Sequence, residues 1–153
     1  MPIFLFLFFY FVAELNTIEL WNDTYMSANF HIITNNPLVR EKYPLLITML
    51  DCGVEGVFLA ARDEIHLGAV AINHPLSGSV KPNESPYKSL VLSLRRGPLD
   101  EYSLTVIESA IEVLRKMPVR NIDFHPRVLE DFQVIDLDLL DSAIVALPAQ
   151  YHT

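Results

Sequence analysis

The chain has 153 residues, enough for one ordinary domain and too few for two. Hydrophobic residues make up 51% and charged residues 20%, so a packed core is expected and disorder is excluded as the general state. The net charge of −8 repels nucleic-acid phosphates and anionic lipid headgroups, and the single cysteine excludes an internal disulfide and any thiol-only metal site within one chain.

Residues 1–13 are apolar apart from Pro2, and five of the nine phenylalanines fall in the first eleven positions. This stretch is shorter than the roughly 20 residues that span a bilayer. It lacks a basic flank, because the first Lys or Arg is Arg40, and Glu14, Glu19 and Asp23 follow it. Residues 1–25 are therefore expected to be an extension arising from an upstream start, with Met26 opening a single domain over residues 26–153. A chain beginning at Met26 loses three acids and no base, so it stays acidic.

The elements follow in order. His31-Ile32-Ile33-Thr34 reads as a strand. Asn36 then caps a helix with Pro37 at its first position, where the missing N–H costs nothing, and Pro44 stops it. Residues 45–50 form a second β-rich run. Val54, Val57, Phe58, Ala61 and Ile65 recur at helical spacing, with Gly68 placed for a C-terminal cap. Residues 69–72 read as a third strand, uncharged as in a buried parallel sheet. A long irregular segment, 73–87, is followed by strand character in 88–94. Leu104, Ile107, Ile111 and Leu114 mark a helix with acids at its start and bases at its end. Pro126 opens a last helical region, in which residues 133–137 have a strand as an alternative. This alternation predicts an α/β fold: a three-layer sandwich around a small, mainly parallel sheet of about four strands.

In such sheets ligands bind beyond the carboxyl ends of strands. Two segments qualify, Thr34-Asn35-Asn36-Pro37 after the first strand and the loop from His74 to Lys88 after the third. Gly78 permits close backbone approach, Ser77 and Ser79 offer donors, and Lys81 and Lys88 bring positive charge into an acidic chain. With Thr34, Asn35, Asn36, His74 and Asn83 they compose a candidate cradle for a small carboxylate or phosphate. The same residues also suit a proline-stiffened loop that satisfies its own turns. His74 is the only candidate for general acid or base chemistry, and no Gly-x-Ser-x-Gly elbow accompanies it. The histidines share no metal-ligand spacing, so neither metal nor cofactor is expected. Cys52 reads as a small buried residue. Glu130, Asp131, Asp136, Asp138 and Asp141 read as a solvated helix face.

Thr34-Asn35-Asn36 resembles the Thr-x-Asn turn of the noncanonical nucleoside triphosphate pyrophosphatases. Val39 stands where that family has its phosphate-gripping lysine, with Arg40 one residue out of phase. A more specific resemblance joins Ile33-Thr34-Asn35-Asn36-Pro37-Leu38-Val39 to the segment from His74-Pro75-Leu76-Ser77-Gly78 through Pro86-Tyr87-Lys88-Ser89. Together they resemble the GrdX family, encoded with the glycine, sarcosine and betaine reductase systems of amino-acid-fermenting bacteria. The resemblance implies a cytoplasmic accessory role in reductive deamination of glycine or its N-methyl derivatives and brings no catalytic residue or cofactor; with the two loops, the expected partners are a small anionic metabolite or reductase subunits. The alternatives are a small hydrolase or transferase acting on a phosphorylated or nucleotide metabolite, and an interaction subunit docking through its acidic C-terminal region.

Overall fold

The computed structural model describes residues 28–78, 81–117 and 123–152. The expected extension over 1–25 lies outside them. Three strands, β1 (Phe30–Thr34), β2 (Ile47–Met49) and β3 (Ser89–Ser93), form one sheet in the order β2-β1-β3. Four α-helices accompany it: α1 (Pro37–Lys42), α2 (Val54–His66), α3 (Glu101–Lys116) and α4 (Pro126–Val145). A single 3-10 turn, Ala149–Tyr151, follows.

The central strand shows why the sheet is covered on both faces. Successive side chains of a strand point to opposite sides, yet Ile32 and Ile33 are both buried. Ile33, Leu90 and Leu92 join one apolar cluster with Val57, Phe58, Ala61 and Ile65 of α2 and Ile107, Ala110, Ile111 and Leu114 of α3. Phe30, Ile32 and Val91 join a second, with Val39 of α1 and Leu140 of α4. Each fully buried Ile, Leu or Phe side chain contributes about 1.5–3 kcal/mol relative to exposure, so the two clusters carry most of the fold's driving force.

Helix boundaries follow local chemistry. The Asn36 side chain accepts a hydrogen bond from Leu38 N at 3.0 Å and Pro37 opens α1, as the sequence predicts. Asp100 caps α3 by accepting from Ser103 N at 2.7 Å, and hydrogen bonding from the Ser103 hydroxyl, then from its backbone N–H, lowers the Asp100 carboxyl pKa. After α2 the chain turns through Gly68, at φ +92°, and Gly97 N donates to the Gly68 carbonyl at 2.9 Å. A Cβ on Gly68 would lie 2.2 Å from the Gly97 oxygen, so this crossing requires glycine.

The α/β class holds, but the sheet differs from the expected four-stranded, mainly parallel one. It has three strands and is mixed, β1 pairing parallel with β2 and antiparallel with β3. Residues 69–72 do not form a full strand. They meet β3 through one antiparallel bridge, Ala71 to Leu92. The bridge keeps two ladder bonds, Ile72 N to the Val91 carbonyl at 2.8 Å and Ser93 N to the Val70 carbonyl at 2.9 Å, but Val70 N donates to the Ser93 hydroxyl at 2.8 Å and Val91 N to Asn73 Oδ1 at 2.7 Å. Donors a ladder would use are committed to side chains. Residues 133–137 are helical within α4, which runs unbroken for 20 residues.

Candidate functional site

Antiparallel pairing of β1 with β3 sets Thr34, the last residue of one, opposite Ser89, the first residue of the other. The chain leaving β1 and the chain entering β3 therefore share one end of the sheet, and the two candidate segments meet there. Thr34 and Asn36 are completely buried, and Ser89 nearly so. Polar groups so placed need partners, and each has them.

Asp136, on the inner face of α4 and 5% exposed, organises the cluster. Its Oδ1 accepts from Ser89 N at 3.0 Å, while Oδ2 accepts from Ser89 Oγ at 2.7 Å and from Asn36 Nδ2 at 2.9 Å. Because Ser89 Oγ spends its proton on the carboxylate, it must accept from Thr34 Oγ1, 2.7 Å away. Thr34 Oγ1 in turn accepts from Asn36 N at 2.9 Å. Donation thus runs one way, from the Asn36 backbone through Thr34 and Ser89 to Asp136. Asn36 Nδ2 also donates to the Gln133 carbonyl at 2.9 Å, fastening the start of α1 to α4.

Asn35 holds the surrounding loops. Its Nδ2 donates to the carbonyls of Cys52 at 2.9 Å and Pro86 at 2.8 Å, and its Oδ1 accepts from Lys88 N at 2.8 Å. One amide joins the chain after β2 to the chain before β3.

Beside this network is a cavity of about 50 Å³, whose lining includes Lys81, Lys88, Ser85, Tyr87 and Asp136, with Val54, Phe58, Leu114 and Leu139 as apolar wall. Lys88 Nζ donates to the Ser77 carbonyl at 3.0 Å. Burial lowers the Lys88 pKa, and the Asp136 carboxylate partly opposes that shift.

The remaining sequence candidates take several places. Asn83, at φ +66°, lines the cavity but directs its Nδ2 to the carbonyls of Leu114 and Met117, at 2.8 and 3.1 Å, and so satisfies the end of α3. Gly78, at φ +110°, approaches α4 closely, where a Cβ would lie 2.7 Å from Leu139 Cδ1. His74 is exposed, and its Nδ1 accepts from Leu76 N at 3.1 Å, bracing a turn. Ser79 lies outside the described residues. Two side-chain expectations are corrected. Cys52 is exposed rather than buried, and its thiol pKa is raised by partial burial and by Asp51. The acids of α4 are not one solvated face: Asp136 is buried, and Asp141 accepts from Tyr43 Oη at 2.6 Å and pairs with Lys42.

The sequence does not single out Gln133, and it places Asp136 only among the acids of a solvated face. A signal was present, since Phe132, Asp136 and Leu140 recur every four residues, placing the acid on the apolar stripe of α4. Among the described residues no group of three or more His, Cys, Asp or Glu could hold a metal ion, and no helix is long and apolar enough to cross a membrane.

Residues 31–145 match the GrdX-like protein family. The chain belongs to that family. In this GrdX-like protein the matched span runs from β1 to the last residue of α4, so it contains every member of the Asp136 network and the whole cavity lining. No curated protein and no solved structure matches the chain.

Proposed function

We propose that this GrdX-like protein is a cytoplasmic accessory protein of a glycine, sarcosine or betaine reductase system, and that it works by holding a small anion at the end of the sheet rather than by catalysis. Family membership supports the reductase association. The observation that carries the binding role is the position of Lys88, which lines the cavity and donates its Nζ to the Ser77 carbonyl beside a fully hydrogen-bonded polar network. The network has no free nucleophile: the Thr34 and Ser89 hydroxyls are committed to one another and to Asp136. His74, the one candidate acid or base, is not part of the cavity lining.

Screening the full chain for thermal stabilisation by glycine, sarcosine, betaine, acetyl phosphate and nucleotides tests the anion role, because a ligand that binds only the folded state raises its midpoint. The expected result is a shift that disappears in Lys88→Ala and weakens in Lys81→Ala. Absence of any lysine-dependent shift overturns the anion role. Co-purification with reductase subunits tests the accessory role separately, and failure to recover them under native conditions overturns it.

A further inference from the structure

The size, charge and wall of the cavity narrow the class of anion. A cavity needs roughly 10–15 Å³ to seat one water, so about 50 Å³ has room for roughly four groups of that size. A nucleotide exceeds that space and would project from the open side. Among the described residues the charged side chains in the lining are Lys81, Lys88 and Asp136, one positive charge in excess. A monoanion neutralises that excess, whereas a phosphate dianion leaves a negative charge beside a carboxylate in a partly desolvated site. The two oxygens of Asp136 already accept three hydrogen bonds, which leaves them poorly placed to receive a ligand ammonium. The lining also carries apolar side chains, among them Val54, Phe58 and Leu139. An uncharged aliphatic end fits there, and a charged one would lose hydration without a partner.

We infer that the cavity takes a short-chain aliphatic monocarboxylate of about four or five heavy atoms, its carboxylate on Lys88 and Lys81 and its alkyl end against the Val54, Phe58 and Leu139 wall. This rests on the anion-binding reading and restricts it by size, charge and polarity.

The test titrates the full chain by calorimetry with acetate, propionate, hexanoate, glycine, inorganic phosphate and adenosine monophosphate at constant ionic strength. Acetate and propionate should bind, hexanoate more weakly than propionate, and the other three weakly or not at all. Lys88→Gln should weaken propionate by about tenfold or more, the loss of a charge-assisted hydrogen bond. Lys81→Gln, at an exposed position, provides a second variant that leaves the buried network intact. Lysine-dependent binding of phosphate, the nucleotide or glycine more tightly than propionate overturns the monocarboxylate inference while leaving the anion role standing. Lysine-dependent binding of none of the six overturns both.

Discussion

Ser89 and Asp136 are joined twice, backbone N–H to Oδ1 at 3.0 Å and hydroxyl to Oδ2 at 2.7 Å, across 47 residues of sequence. The two bonds lock the first residue of β3 to α4. They also set the protonation logic of the cluster, because all three donors that converge on Asp136 require an acceptor there.

Asp136→Asn should therefore destabilise strongly although it preserves shape. One carboxylate oxygen becomes an NH2 group facing donors, and each donor left unpaired in a buried site costs about 1–3 kcal/mol. The expected outcome is a fall in the urea midpoint at unchanged slope. Asp138→Asn, at an exposed position on the same helix, should change the midpoint little.

Asn36 serves two functions that substitution can separate. Asn36→Ser retains a side-chain cap for α1 but cannot reach Asp136 and the Gln133 carbonyl, whereas Asn36→Ala loses both roles. The alanine variant should be less stable than the serine variant by about 1 kcal/mol, the usual worth of an N-cap. Both should fall well below the parent chain in denaturant midpoint.

Two glycines should rank in order. Gly68→Ala drives a Cβ against the Gly97 backbone and holds alanine at φ +92°, while Gly78→Ala meets a Leu139 methyl that can rotate away. Left-handed strain alone costs of the order of 1–3 kcal/mol, and only the first site adds a backbone collision. Thermal midpoints should fall further for Gly68→Ala than for Gly78→Ala.

His31 should make stability depend on pH. Its Nδ1 is buried with no hydrogen-bond partner among the described residues, and its pKa is lowered first by burial and then by Arg96, with Glu64 acting in the opposite direction. The folded pKa lies below the unfolded one, so the unfolded chain binds the proton more readily in this range. Stability from neutral His31 is fully present above the unfolded value near 6.5 and is lost as pH falls from there through the folded pKa. His31→Leu should flatten the part of the stability profile below the unfolded value near 6.5 that this residue supplies, measured as the difference between the two chains.

Much of this architecture was legible because the relevant signals are local. Asn36 before Pro37, the helical spacing of Val57, Phe58, Ala61 and Ile65, and Gly68 after α2 each report on a few neighbouring residues. The direction of β3 was not legible, since a connection of the length of 73–87 can return a strand in either sense. The fate of 69–72 depends on the Ser93 hydroxyl, more than 20 residues from Val70, and on the Asn73 side chain. Asp136 was hidden among other acids, although its four-residue spacing from Phe132 and Leu140 separates it from Asp138 and Glu130. Thr34 to Asn36 and Lys88 share one end of the sheet, where a rule for parallel strands points from sequence. Their meeting depends instead on an antiparallel pair.

The close anchoring of both ends of the segment between Ile72 and Ser89 has an evolutionary consequence. Ile72 N donates to the Val91 carbonyl at 2.8 Å, and Asn73 Oδ1 accepts from Val91 N at 2.7 Å, so the segment leaves and rejoins the sheet at nearly the same place. Closing a longer loop between fixed ends costs only about 0.6 kcal/mol for each doubling of length. Insertions and deletions here can reshape the cavity mouth at little thermodynamic expense, while β1, β3 and the Asp136 network stay in register. The shape of the cavity can therefore diversify among related chains faster than their fold, with the variation concentrated in this one connection.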